Sequence, residues 1–163
     1  MSDEFAPIPG ADNGNGGAEP EYRMQALGQY VKDLSFENPG APMGPSGRPE
    51  IDLGVDLQAR RLEQDRFEVE LKLRVSAKAE EKAVFLLELV YGGLFMIQNM
   101  PDDVLQQVLL IDAPQLLFPF ARRIVADVVR DGGMPPLMIE PIDFASLYRA
   151  KMADAEAQQS GTA

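Results

Sequence analysis

The clearest pattern in the chain is a strict alternation of apolar and polar residues from Phe67 to Lys78. Apolar side chains occupy the odd-numbered positions of this segment, and charged or small polar side chains occupy the even-numbered positions. A period of two predicts a β-strand with one buried and one solvated face, which is typical of antiparallel sheets. The segment Ile51–Gln58 alternates in the same way and is predicted as another strand.

A looser alternation between Gln25 and Glu37 predicts a strand near the start of the folded region. Counting every second residue assigns two sets of side chains to opposite faces. The expected sets are Tyr30, Leu34 and Phe36 on one face and Val31, Asp33, Ser35 and Glu37 on the other.

The segment Ala83–Tyr91 is apolar on both faces except at Glu88, which predicts a strand that is covered on both sides. In a chain this short, we expect one of the two covers to be a second copy of the chain. Gly92–Gly93 follows directly and is predicted as a bend that ends this strand. Gly40–Pro49 is rich in glycine and proline and is predicted as a loop or crossover whose large apolar side chain is Met43.

After residue 93 the apolar residues recur at helical spacing, which predicts three helices. They are expected over Pro101–Ile111, over Gln115–Arg130 and from about Pro141–Asp143 onward. Pro119 lies between Phe118 and Phe120 and should fix where the second helix begins or bends, because proline has no N–H to donate. Four strands followed by helices predict an α+β fold with an antiparallel sheet.

Composition divides the chain into one domain and two tails. Residues 1–22 are rich in glycine, proline, asparagine and acidic residues and are predicted to be disordered. Residues 23–152 form the predicted domain, and residues 153–163 are predicted to be a flexible C-terminal tail that starts as a fraying helix.

Charge and missing residue types exclude several classes of function. The net charge is −11, from 15 basic and 26 acidic residues, which argues against binding nucleic acid or an anionic membrane surface. The chain contains no cysteine or histidine, so disulfides, thiol nucleophiles and the usual general base are absent. No apolar run of membrane-spanning length and no signal-peptide pattern is found, and we expect a cytoplasmic protein without cofactor, metal or membrane insertion.

Four motifs lie between about residues 30 and 152. They are K-D-L-S-F-E-N-P (Lys32–Pro39), E-L-V-Y-G-G-L-F (Glu88–Phe95), L-L-F-P-F-A-R (Leu116–Arg122) and P-I-D-F-A-S-L-Y (Pro141–Tyr148). Any one of them alone is a weak signal, but together they make the chain resemble the SecB family of export chaperones, in which all four occur in this order and at about this spacing.

The resemblance implies a fold, an assembly and a function. The expected fold is a four-stranded antiparallel sheet packed with a long helix and shorter helices, assembled as a homotetramer that is a dimer of dimers. The implied function is an ATP-independent chaperone, with no catalytic residue. Such a chaperone holds unfolded precursor proteins in apolar grooves and delivers them to the SecA motor for export.

The resemblance also implies two sets of site residues. The matching positions for SecA binding are Asp33, Glu37, Leu86 and Glu88. The matching positions for the client groove are Leu53, Val55, Phe118, Phe120 and Tyr148.

Simpler interpretations of the same residues stay open at this point. Aromatic residues at helical spacing usually belong to a core, and acidic residues are usually solvated. Glu88 is the most informative acid, because it interrupts an otherwise apolar strand. Two other functions are open: a SecB-like chaperone of a toxin–antitoxin system, and a small α+β isomerase or hydrolase using a carboxylate in an apolar pocket, for which Glu88 is the candidate.

Overall fold

The computed structural model describes residues 22–161, and the predicted N-terminal tail lies outside this range except for residue 22. Four strands are followed by three α-helices, and a π-helical turn over Val108–Asp112 joins the first two helices. The elements are β1 (Arg23–Glu37), β2 (Glu50–Glu63), β3 (Arg66–Ala79), β4 (Lys82–Gln98), α1 (Asp102–Gln107), α2 (Ala113–Asp131) and α3 (Phe144–Ser160). The predicted α+β class with one antiparallel sheet is confirmed.

The four strands form one antiparallel sheet in the order β1-β4-β3-β2. The hairpin β3–β4 therefore occupies the centre, and β1 and β2 are the two edges. The connection between β1 and β2 crosses the full width of the sheet. It is held near its start by the Gly40 N–H, which donates to the Val84 carbonyl at 3.2 Å.

One face of the sheet, here called the inner face, carries the odd-numbered side chains of β2 and β3 and packs against α2. The side chains that are fully buried come from β3, β4 and α2. They include Val69, Leu71, Leu73, Val75, Leu87, Leu89, Phe95, Leu117, Val125 and Val129. The opposite side of the sheet, here called the outer face, carries the even-numbered side chains of β2, β3 and β4. Those of β2 and β3 are mostly polar, whereas β4 adds Leu86, Val90, Leu94 and Met96 beside Glu88.

The expected faces of β1 are wrong at Tyr30 and Val31, because the strand contains a β-bulge. The register shifts between Val31 and Asp33, so that Lys32 is an extra residue in the ladder. A bulge reverses the assignment of faces on one side of it. Tyr30 accordingly lies on the outer face, opposite Gly92, while the predicted positions of Asp33 and the residues after it are confirmed.

The expected bend at Gly92–Gly93 is also wrong, because β4 continues through both glycines to Gln98. The glycines are needed for space. A Cβ atom on Gly92 would lie 2.5 Å from the ring of Tyr30, and one on Gly93 would lie 2.8 Å from Leu117. These glycines let side chains cross the strand closely on both faces.

The first two predicted helices form one helical stretch from Asp102 to Asp131. The Ala113 N–H donates to the Val108 carbonyl, which is the spacing of a π turn, and Pro114 follows directly. Pro119 lies inside α2 and does not begin the helix. This stretch is long and apolar enough to cross a membrane by composition, but it packs its apolar side on the sheet, as a core helix of a folded domain does.

The helix α3 begins where the sequence predicts it. The Asp143 carboxylate caps its first turn, accepting hydrogen bonds from the Ser146 N–H at 3.0 Å and the Ser146 hydroxyl at 2.6 Å. Residues 153–160, where the sequence predicts a fraying helix that leads into the tail, are helical. Their alanine, glutamate and glutamine residues have high helix propensity, which outweighs the absence of buried contacts.

Candidate functional site

The four residues expected to bind SecA lie together on the outer face and are called the outer patch: Asp33, Glu37, Leu86 and Glu88. Glu37 pairs directly with Leu86 across β1 and β4. Ser35 pairs with Glu88, and Asp33 pairs with Val90, so the patch occupies neighbouring positions on two adjacent strands. Two strands that are distant in sequence therefore build one acidic surface.

Glu88 lies on the solvent-facing side of the sheet. Its side chain is 44% exposed, and its Oε1 atom lies 2.8 Å from Nη1 of Arg74. An isomerase or hydrolase of the kind considered above would need Glu88 in an apolar pocket, and the exposed position of Glu88 contradicts that hypothesis. Glu88 instead borders a shallow depression of about 360 Å³ that also contains Asp33, Asp56, Lys72 and Arg74.

A buried polar network, which the sequence analysis did not identify, joins strands on the outer face. Glu68 on β3 is 5% exposed and accepts hydrogen bonds from the Tyr30 hydroxyl, from Lys32 Nζ at 2.9 Å and from Arg60 Nε at 2.8 Å. Tyr30 and Lys32 belong to β1 and Arg60 to β2, so one carboxylate connects three strands. In the alternating sequence of β3, nothing distinguishes Glu68 from the exposed charged residues at other even-numbered positions, such as Arg74.

The network shifts the acid–base properties of its members. Hydrogen bonding from Tyr30, followed by Lys32 and Arg60, lowers the pKa of Glu68 to about 2, although burial opposes this shift. Burial and the hydrogen bond to Glu68 raise the pKa of Tyr30 to about 12. The network is therefore most favourable with Glu68 ionised and Tyr30 protonated.

We expect Glu68 to make folding stability depend on pH in the acidic range. Between its ordinary pKa of 4.5 and its folded value of about 2, the unfolded chain binds the additional proton, so the free energy of unfolding falls as pH falls through this window. The loss should be about 1–3 kcal/mol, since Lys32 and Arg60 are partly solvated. Urea unfolding at fixed protein concentration from pH 6 to pH 2 measures it. A Glu68→Gln variant should show a shallower acid limb, and an unchanged limb would contradict the assignment.

The inner side of the molecule contains a cleft of about 340 Å³ between β2 and α3. Its walls bring together two of the expected groove residues, Val55 and Tyr148. The further apolar lining residues are Leu57, Leu110 and Leu147. Leu53 is exposed and lies on the same face of β2, two positions before Val55.

The two phenylalanines expected in the groove do not line this cleft. Phe118 is 5% exposed and packs edge-on against Phe144 with ring centres 6.2 Å apart, which places it in the hydrophobic core. Phe120 is 45% exposed and stacks on Tyr91 at 6.5 Å. They therefore have separate environments, although one residue lies between them.

A second apolar cleft of about 330 Å³ lies where the crossover meets the connection between α2 and α3, and the sequence analysis named none of its lining residues as groove positions. It is lined by Pro45, Arg48, Pro49, Ile51, Phe85, Val129, Met134, Pro135, Pro136 and Leu137. The sequence signal that could have indicated it is the apolar run Met134–Leu137, which follows the helix end. Within residues 22–161, no group of acidic residues is arranged to hold a metal ion.

Comparison with known proteins shows the family. The family model described as "Preprotein translocase subunit SecB" matches residues 17–155. The protein-export protein SecB of Azorhizobium caulinodans is 50% identical over 143 residues, covering 86% of this chain and 89% of the relative. The protein-export protein SecB of Caulobacter vibrioides is 46% identical and covers both chains completely.

A solved structure is similar in fold. The SecB-like chaperone of Mycobacterium tuberculosis, in complex with a ChAD peptide from an antitoxin, matches with a TM-score of 0.64 at 17% identity, covering 74% of this chain and 91% of that chain. At this identity the likeness concerns the fold alone. The matches in sequence, which extend across the sheet and the helices, establish that the chain belongs to the SecB family of protein-export chaperones.

Proposed function

We propose that this chaperone acts in the cytoplasm, holds unfolded precursor proteins in the two clefts beside β2, and delivers them to SecA through the outer patch. The observation that carries the proposal is the separation of two chemically different surfaces on one sheet. Apolar side chains stand open beside the inner face, and carboxylates stand open on the outer face. A client and SecA could therefore be bound at the same time.

The two clefts suit extended apolar segments of a non-native chain. Each has a volume of about 330–340 Å³, enough for a few side chains. Burial of apolar surface gives roughly 25 cal/mol per Å² before the cost of ordering, so a single cleft binds weakly. The groove in this proposal comprises Leu53, Val55 and Tyr148 together with the second cleft, which lies at the crossover and is here called the crossover cleft. Phe118 is left out because it is already packed in the core.

In a homotetramer, a dimer of dimers, several clefts that each bind weakly would together bind one long client tightly. Apolar side chains on the inner face of β1 are exposed in the single chain, with Val31 at 47% and Leu34 at 41%. Exposed apolar patches of this kind commonly mark a protein interface, and we assign this one to further copies of the chain. Several clefts on one particle raise the effective concentration of binding sites for a long client.

The acidic character of the chain supports SecA as the partner of the outer patch. Four copies of a chain with a net charge of −11 carry −44, which attracts a basic protein segment and makes association sensitive to salt. The patch places Leu86 beside Glu37, so an apolar contact and a charged contact are available together.

The proposal is tested by light scattering of the full chain with a reduced, unfolded precursor, followed by addition of SecA. We expect a tetramer that slows precursor folding without ATP and that binds SecA more weakly as salt rises. A monomer that leaves the folding rate unchanged would contradict the chaperone assembly. Client binding without SecA binding would instead favour a chaperone that serves a toxin–antitoxin pair.

A further inference from the structure

Two side-chain contacts place Tyr30 and Phe36 of β1 on opposite faces of the sheet, although the spacing of these residues in sequence would put them on the same face. Tyr30 and Phe36 are separated by an even number of positions, which in a regular strand gives one face. In the structure the Tyr30 hydroxyl donates to Glu68 on the outer face, whereas the Phe36 ring lies 5.7 Å from Phe85 on the inner side. The bulge between Val31 and Asp33 reconciles these two contacts by inserting one residue.

The polar network is located at this bulge. Tyr30 lies two positions before the inserted residue, and its ring passes closely over Gly92 to reach Glu68. Lys32 is the inserted residue, and its ammonium group binds both Glu68 and Glu70. The contacts of Tyr30 and Lys32 fix these two side chains on the outer face, next to the bulge that changes the face occupied by each later residue of β1.

The orientation of the outer patch depends on that exchange. If the bulge were lost while Tyr30 stayed on the outer face, each later residue of β1 would move to the opposite face. Asp33 and Glu37 would then point inward, and Leu34 and Phe36 would point to solvent. The acidic half of the patch would be separated from Leu86 and Glu88.

We infer that Glu68 is a positioning residue for the outer patch: by holding Tyr30 and Lys32 it maintains the bulge that turns Asp33 and Glu37 outward. Its consequence for SecA rests on the function proposed above. Glu68 itself is buried and need not touch SecA. Within residues 22–161, the other buried side chains of the sheet are apolar, and the network explains why the charged side chain of Glu68 is buried among them.

The first test measures amide hydrogen exchange by NMR on the assembled full-length protein. Tyr30→Phe keeps the ring and the net charge but removes the hydrogen bond to Glu68, and Glu68→Gln removes the charge of the acceptor. We expect amides of residues 33–37 to exchange roughly tenfold faster or more in both variants, while those in the centre of β3 are unchanged. Unchanged exchange of residues 33–37 in both variants would overturn the inference, whether or not SecA binds.

Tyr91→Phe is a matched control. The Tyr91 hydroxyl donates to Gln29 at 3.2 Å, so it also links β4 to β1, but from the inner face and before the bulge. We expect this variant to leave exchange of residues 33–37 unchanged. Equal acceleration in Tyr91→Phe and Tyr30→Phe would show a general loosening of β1 and would count against a specific role for Glu68.

The second test measures affinity for SecA and for an unfolded client in the same variants. If about a third of molecules keep the bulged register, Tyr30→Phe should weaken SecA binding roughly threefold and weaken client binding by a smaller factor, since the cleft between β2 and α3 is untouched. The same change should have no further effect in an Asp33→Asn/Glu37→Gln background. A full additional loss in that background would contradict positioning. Absence of SecA binding by the unmodified protein would contradict the proposed docking, and the exchange data would then decide the inference alone.

Discussion

Reversing two charges of the outer patch should abolish measurable SecA binding while client binding continues. In Glu37→Lys/Glu88→Lys, cations replace carboxylates on neighbouring strands, and one of them lies beside Arg74. A like charge facing a basic partner costs several kcal/mol, so we expect the affinity to fall at least about a hundredfold at low salt. Calorimetric titration with SecA, and a client-folding assay on the same sample, measure the two functions separately.

A matched control separates the position of the charges from the net charge. Glu50 and Asp52 lie on the outer face of β2 at the opposite edge of the sheet, and both are exposed. Glu50→Lys/Asp52→Lys changes the net charge by the same amount and should reduce SecA affinity much less. If both double variants lose affinity equally, SecA responds to the overall field, and the outer patch is not its docking site.

Placing a carboxylate at Tyr148 should cause the largest loss of client binding. Tyr148 lines the cleft between β2 and α3 opposite Val55, so in Tyr148→Asp a bound apolar segment would bury an unpaired charge. A penalty of about 2 kcal/mol or more corresponds to at least roughly a thirtyfold loss of affinity, which several clefts on one particle would amplify. Retardation of precursor folding, measured against chaperone concentration, reports the change.

The control for this variant is Ala153→Asp on the same helix. Ala153 is exposed and does not line the cleft, and its replacement adds the same charge to α3. We expect normal client binding, a normal tetramer and normal SecA affinity. Equal loss in both variants would mean that α3 tolerates no added charge, and it would leave Tyr148 without a specific role in the groove.

Local alternation was sufficient to predict the four strands but not all of their faces. In β3 the pattern has no irregularity, and the structure follows it residue by residue. In β1 the phase depends on where Tyr30 finds a partner, and tyrosine is suited to either face because it has an apolar ring and a polar hydroxyl. Its partner Glu68 is distant in sequence, so counting positions could not locate the bulge.

Glycine and proline were ambiguous for a related reason. Gly92–Gly93 has the composition of a turn, yet the same absence of side chains permits the close crossing of Tyr30 and Leu117 over a continuous strand. Pro119 was expected to begin or bend a helix, whereas the irregular turn lies before Pro114. Such choices are decided by tertiary packing, which a local pattern does not contain.

The candidate surfaces were predicted unequally. Asp33, Glu37, Leu86 and Glu88 came from the family resemblance, and their juxtaposition follows from the pairing of β1 with β4. The lining residues of the crossover cleft were not predicted, because its walls come from loops and strands that are separated along the chain. Phe118 and Phe120 show the limit most directly, since a step of two positions along α2 moves a side chain from the core to the surface.

The order of the strands has a consequence for how the chain folds as it is synthesised. β1 is made first but pairs with β4, and Arg23 lies opposite Gln98. This edge of the sheet cannot close until β4 has left the ribosome, so the nascent β1 has no partner while β2 and β3 emerge. Pairing over such a distance gives a high contact order and slow folding, and this chaperone must itself pass through a stage with an open strand.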